Sequence, residues 1–220
     1  MGNLKGAKQI LHKLNQNGVK SDVRTYSALI NACAKSGDVA AAERLLQEME
    51  QMGLEPNVIT FSSLIDACAK SGDVTAATRL MQEMKQMGLE PNVVTFNSLI
   101  DACAKAEKPD VNQVSTILEL MKARGLNPDV KTFSCAINAC AKSGDVAAAE
   151  RFLQEMEQMG LEPNNVTTFN ILIDACAKAE EPDVNQITKI LQLMNARGLK
   201  PNEVTRKLAF GVCRSEKDRV

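Results

Sequence analysis

The sequence predicts an all-α protein, a solenoid of tandem helical hairpins, and three observations carry that reading. The string Ala-Cys-Ala-Lys recurs at residues 32–35, 67–70, 102–105, 139–142 and 175–178, at spacings of 35, 35, 37 and 36. Self-similarity at such a period is the mark of a repeat architecture. Within each period apolar residues fall three and four apart, as Phe61, Leu64, Ile65 and Cys68 do, which places them on one buried helical face. Composition agrees: aromatic residues make up only 3% of the chain and Trp is absent, while Ala, Leu, Met, Glu and Gln abound. That balance favours helices over strands.

Each element follows from local signals. Five units begin at Val23, Val58, Val93, Val130 and Val166, giving repeats over 23–57, 58–92, 93–129, 130–165 and 166–202. Residues 1–22 match the second half of a unit, with Gly2 aligned to Gly37 and Asp22 to Asn57. Residues 203–220 resemble the start of a further unit and are expected to form a capping helix. Two units are nearly identical: Ala32 to Pro56 reappears as Ala139 to Pro163 with one change, Leu45 against Phe152.

Inside the second unit, Ser71-Gly72-Asp73 breaks the first helix, with Gly as terminator and Asp as the next cap. The second helix carries Val74, Ala77, Leu80, Met81, Met84 and Met87 on its apolar stripe, and Gly88 to Asn92 closes it around Pro91. The third and fifth units carry Ala-Glu-Lys-Pro-Asp at 106–110 and Ala-Glu-Glu-Pro-Asp at 179–183 instead. These longer turns are expected to place Pro in the first turn of the following helix. A lone hairpin cannot bury its apolar face, so neighbouring units must stack.

Composition also excludes several functions. Formal charge is −1 and the isoelectric point about 6.0, so the basic bulk of a general nucleic-acid binder is missing. No run reaches the roughly 18–20 apolar residues of a membrane span. The N-terminal Met-Gly-Asn-Leu-Lys is neither a signal peptide nor an Arg-rich transit peptide. The cysteines Cys33, Cys68, Cys103, Cys135, Cys140, Cys176 and Cys213 contain no CxxC pair. Ligands one repeat apart cannot converge on one zinc ion, so they are expected to pack as small apolar fillers in a reducing compartment. His12 is the only histidine, and no phosphate-binding glycine loop or deaminase signature is present. No catalytic residue, cofactor or metal site is therefore expected.

The unit Val-x-Thr-(Tyr/Phe)-(Ser/Asn)-x-Leu-Ile-(Asn/Asp)-Ala-Cys-Ala-Lys-x-Gly, ending in Met-x-x-Gly-Leu-x-Pro-(Asn/Asp), resembles the pentatricopeptide repeat across essentially the whole chain. Its period differs from that of the tetratricopeptide repeat, whose Trp-Leu-Gly-Tyr and Ala-Phe-Pro pattern is absent. The resemblance implies a right-handed superhelical α-solenoid that binds single-stranded RNA one base per repeat, in mitochondrial or plastid RNA stabilisation or processing. The near-duplicate units fit either recent duplication or a consensus-like design.

By that resemblance, the fifth and last positions of each repeat choose the base. They are Ser27 with Asn57, Ser62 with Asn92, Asn97 with Asp129, Ser134 with Asn164 (or Asn165), and Asn170 with Asn202. An Asn amide can donate to the ring-nitrogen acceptor of adenine or cytosine, whereas a carboxylate accepts the ring N–H of uracil or guanine. Ser leaves room for a purine and Asn suits a pyrimidine, so the family pattern gives 5′-AAUAC. The second position, Arg24, Ile59, Val94, Lys131 and Thr167, would sandwich the base. Lys35, Lys70, Lys105, Lys142 and Lys178 recur at position 13 on the same face, where they could follow the phosphates or simply favour the helix C-terminus. Tyr26, Phe61, Phe96, Phe133 and Phe169 share a face with buried Leu and Ile and are assigned to the core. The alternative to RNA binding is a protein–protein scaffold or a subunit of a larger assembly, with self-association through exposed solenoid ends a further route.

Overall fold

A computed structural model describes residues 2–18, 20–161, 166–178 and 184–217. They form twelve α-helices: α1 (Gly2–Gln16), α2 (Val23–Lys35), α3 (Val39–Gln51), α4 (Val58–Ser71), α5 (Val74–Gln86), α6 (Val93–Lys105), α7 (Val111–Ala123), α8 (Val130–Ser143), α9 (Val146–Gln158), α10 (Val166–Lys178), α11 (Val184–Ala196) and α12 (Glu203–Lys217). No strand occurs among the described residues. The chain divides into two compact units, Met1–Glu107 and Lys108–Val220.

In the first unit the first helices of successive repeats, α2, α4 and α6, lie side by side, and α3 and α5 each pack on the first helices flanking them. Phe61, Leu64, Ile65 and Cys68 are fully buried, as the three- and four-residue spacing requires. Tyr26 and Phe96 sit in the same core. The α4–α5 break follows its sequence: Gly72 adopts a left-handed conformation (φ 69°), and the Asp73 carboxylate accepts the Ala76 N–H at 2.9 Å. Met87 departs from the expected stripe. α5 ends one residue earlier, and Met87 becomes its C-cap at 44% exposure.

The second unit repeats the scheme. α8, α10 and α12 stack as a row of first helices, with α9 against α8 and α10, and α11 against α10 and α12. Phe133, Phe169, Phe152 and Ile137 fill its core. Asp110 caps α7 by accepting from Asn112 and Gln113 N–H, so Pro109 stands one residue before the cap instead of inside the first turn. The corresponding Pro182 lies outside the described residues. α12 packs on α10 and α11 but leaves Val204 and Phe210 exposed at 53% and 66%.

Ion pairs tie second helices of adjacent repeats together within each unit. Arg79 on α5 reaches Glu43 on α3; Lys122 on α7 reaches Glu155 on α9; and Arg197, just past α11, reaches Glu157 on α9. All are partly solvent-exposed, so each contributes up to about 1 kcal/mol.

Gly72 also sets how closely consecutive first helices approach. A Cβ there would meet the Lys105 carbonyl oxygen at 2.7 Å, whereas one at Gly37 meets only Lys70 Cβ at 3.5 Å. Both glycines have positive φ, so Ala at either position costs about 1–2 kcal/mol of backbone strain. Gly72→Ala should cost about 1–3 kcal/mol more than Gly37→Ala, because backbone must move to relieve the overlap. Denaturant midpoints of the two variants check this; equal losses would contradict it.

Candidate nucleic-acid interface

Wherever it is described, the N-cap of a first helix is the polar centre of its repeat boundary. Asn57 precedes α4 in extended conformation, and its Oδ1 accepts the N–H groups of Ile59 (3.0 Å) and Thr60 (3.1 Å) and the Thr60 hydroxyl (3.2 Å). In return the Asn57 N–H donates to Thr60 Oγ1 at 3.3 Å, completing a reciprocal capping box. Asn92 and Thr95 repeat the arrangement at α6, with Oδ1 accepting from Thr95 N and Oγ1 at 3.1 Å. Asp129 and Thr132 repeat it at α8, and Asn202 with Thr205 at α12. Asp22 caps α2 similarly through Thr25, whose backbone and side-chain hydrogen bonds lower its carboxyl pKa.

These caps fix which atom remains for a ligand. With Oδ1 committed to the helix, the amide Nδ2 of Asn57 and Asn92 makes no hydrogen bond among the described residues. Asn92 is exposed and Asn57 half-buried. Beside them on the first turn, Ile59 and Val94 stand 64% and 57% exposed, although neighbouring apolar residues of the same helices are buried. Arg24, Lys131 and Thr167 occupy the equivalent second positions and are also exposed. Asn164, the last-position residue of the fourth repeat, lies outside the described residues, as does Asn165.

The fifth-position residues are more enclosed than their polarity suggests. Ser27, Ser62 and Asn97 are 7%, 8% and 3% exposed. Ser27 Oγ lies 2.9 Å from Thr60 Oγ1, and Ser62 Oγ lies 2.8 Å from Thr95 Oγ1. Ser134 instead donates to the Val130 carbonyl of its own helix at 2.7 Å. Asn170 contacts both Thr205 (2.6 Å) and Asn202 (3.4 Å). The third-position threonines thus join the two polar columns in repeats one, two and five. Their recurrence as Thr25, Thr60, Thr95, Thr132, Thr168 and Thr205, three residues after an Asp or Asn wherever the cap is described, was the sequence signal for this role.

The lysine column is uneven. Lys70 pairs with Asp66 at 2.8 Å and donates to the Ala34 carbonyl at 2.8 Å; Lys105 pairs with Asp101 at 2.6 Å. Lys35 and Lys142 are exposed and make no ion pair among the described residues, because Asn31 and Asn138 replace the aspartates four residues earlier. The Lys178 side chain lies outside the described residues.

Among the described residues no cluster of His, Cys, Asp or Glu could hold a metal ion. The core thiols are also poor nucleophiles. Burial, helped by Asp73 and Asp145 respectively, pushes Cys68 up to about 11 and Cys140 up to about 12. Cys33, Cys103 and Cys176 are equally buried, Cys135 is half-buried, and the Cys213 side chain lies outside the described residues.

The fold and these boundaries define a helical-repeat protein in which a capped polar cluster recurs at each described repeat boundary. The chain belongs to the pentatricopeptide repeat family: the pentatricopeptide repeat domain profile matches residues 9–71, 44–106 and 116–179, and the PPR repeat profile matches 94–126. No curated protein matches it by sequence. Among solved structures it is similar to the pentatricopeptide repeat protein PPR10 in complex with an 18-nt psaJ RNA element, at 25% identity and a TM-score of 0.76. That match covers 95% of this chain and 30% of the PPR10 chain, so this chain spans about a third of that protein's length. The fold is also shared with the PPR domain of Arabidopsis thaliana protein-only RNase P 1 in complex with tRNA (19% identity, TM-score 0.67, 84% of this chain and 95% of that one). Protein-only RNase P 2 from the same plant matches at 16% identity and a TM-score of 0.69, over 86% of this chain and 41% of that one. Among the described residues no helix is long and apolar enough to cross a membrane.

The thiol shifts make stability pH-dependent. Cys140 is protonated in both states below its ordinary value of 9.0, so its contribution is fully present there. Between pH 9 and about 12 the unfolded chain ionises first, and stability is progressively lost. Denaturant midpoints compared between pH 8 and pH 10.5 should fall more steeply for the native sequence than for Cys140→Ala. Parallel declines would contradict the shift.

Proposed function

We propose that this protein is a non-catalytic RNA-binding adaptor that selects a short single-stranded segment one base per repeat, close to 5′-AAUAC. The observation that carries this reading is the recurrence, at α4 and α6, of an unengaged cap amide next to an exposed aliphatic side chain. An outward Nδ2 donor suits the ring acceptor of adenine or cytosine, while Ile59 or Val94 covers the base face. Asp129 offers carboxylate oxygen in place of an amide and so favours the ring N–H of uracil. Asn164 would serve the fourth repeat and Asn202 the fifth. That PPR10 was solved with an RNA element supports the class of ligand. Occupying RNA in a mitochondrion or plastid, and so shielding or remodelling it, is the role this reading assigns.

Affinity should come partly from lysines that are not already neutralised. Lys35 and Lys142 are placed to meet phosphates directly, whereas Lys70 and Lys105 must first leave Asp66 and Asp101.

Titration with RNA containing AAUAC, against GGCGU as control, tests the proposal at two salt concentrations. Tighter binding of AAUAC by at least about tenfold is expected, since each mismatched cap leaves a donor or acceptor unmade. Equal affinity for both RNAs would overturn the reading, and a protein-binding role would then be the one to pursue. Asp129→Asn should move the third base from U toward C; an unchanged preference would refute that column. Lys35→Ala should reduce the slope of log affinity against log salt by about 0.7, and Lys70→Ala by less. Equal slope changes would show that the Asp66 pair has no influence.

A further inference from the structure

The hydroxyl of each third-position threonine has one proton and two lone pairs, and at α4 and α6 every one of them is spoken for. Asn57 Oδ1 can only accept, so the Thr60 proton must point to it. The Asn57 N–H donates into one Thr60 lone pair. Ser27 Oγ approaches the same oxygen at 2.9 Å, and the only remaining role for Thr60 Oγ1 is to accept the Ser27 proton. The same count holds for Asn92, Thr95 and Ser62, at 3.1, 3.3 and 2.8 Å. The direction of the serine hydroxyl, ambiguous from the Ser–Thr distance alone, is thereby determined.

We infer that Thr60 and Thr95 are positioning residues that set the hydrogen-bond polarity of the base-selecting pairs in repeats one and two. This inference rests on the RNA-binding reading above and specifies how its site discriminates. Each threonine holds the Asn carbonyl oxygen inward, so Nδ2 faces the ligand as a donor. Each also draws the serine proton inward, so Ser27 and Ser62 retain only lone pairs to offer. The resulting surface is donor plus acceptor in a fixed order. Adenine, with a ring acceptor beside an exocyclic amine, matches it. Guanine and inosine, with a ring N–H beside a carbonyl, oppose it at both atoms.

Without the threonine hydroxyl, the amide can turn over and the serine proton can rotate outward, and the order is lost. The remaining caps show what this wiring requires. Ser134 spends its proton on Val130, so repeat four has no such fixed serine. In repeat five the single Thr205 proton faces both Asn170 Oδ1 and Asn202 Oδ1, and it can serve only one of them. The serine–threonine wiring that fixes this polarity is given by the distances at repeats one and two, and the inference is confined to them.

The full chain tests this with five-base RNAs in which the first or second A is replaced by inosine. The unaltered protein should prefer A over inosine at both positions. Thr60→Val, which keeps the branched shape, should lower that preference by roughly fivefold at the first base alone, and Thr95→Val at the second base alone. Thr60→Ser and Thr95→Ser should restore it. A residue that merely stabilises the fold would weaken binding to every RNA equally.

Ser62→Ala, small and helix-compatible, gives a second arm should a valine variant unfold. A purine lacking the exocyclic amine at the second base should bind the unaltered protein several-fold more weakly than adenine, and Ser62→Ala should erase that difference. If the unaltered protein discriminates A from inosine but both valine variants do so equally well, the inference is wrong and the RNA reading survives. A Ser62→Ala variant that retains the amine preference would overturn it in the same way. If the unaltered protein shows no preference between the RNAs, the RNA reading itself fails and the inference with it.

Discussion

The capping box at the start of α4, α6 and α8 is the contact on which the rest of this protein depends. An Asn or Asp oxygen must satisfy N–H groups that the helix cannot satisfy itself, and a threonine hydroxyl three residues on locks it there. That local need fixes the chain entering these repeats. At α4 and α6 it also places an Asn side chain whose oxygen is consumed and whose amide nitrogen is left over. Losing such a cap costs about 1 kcal/mol of stability, so the site and the fold are supported by the same bonds.

Stacking adds the second constraint. Gly72 lets α4 end against the carbonyl of Lys105, and the buried aromatic row and the Ala-Cys-Ala segments at 67–69, 102–104 and 139–141 lie in the core. Close approach is what brings Ser27 to Thr60 and Ser62 to Thr95. A polar residue in that core would be costly if unpaired; here Ser27 and Ser62 are each bonded to a threonine of the next repeat. The polar chemistry of these boundaries is thus a by-product of how consecutive helices satisfy one another, and beside it stand the exposed apolar side chains of Ile59 and Val94.

Much of this was legible from periodicity. The helical hairpins, the aromatic core and the Gly72-Asp73 break follow from spacing and from residue types with single roles. The Asp66–Lys70 and Asp101–Lys105 pairs could also have been read from their four-residue separation. What spacing could not show was depth. Ser27, Ser62 and Asn97 lie on the same helical side as exposed Ile59 and Val94, yet all three are buried, the two serines against threonines of the next first helix. Met87 looked like core but falls just beyond the last turn of α5, where it is left 44% exposed. Cross-repeat partners such as Glu43 for Arg79 depend on helix-to-helix distance, which a linear sequence does not carry.

The central claim is that successive caps read successive bases, and selection from a randomised single-stranded RNA pool measures it most directly. Bound RNA should be enriched in A, A, U and A at four consecutive positions, followed by a weaker preference for C. Enrichment without that order, or a pool that emerges unchanged, would contradict it.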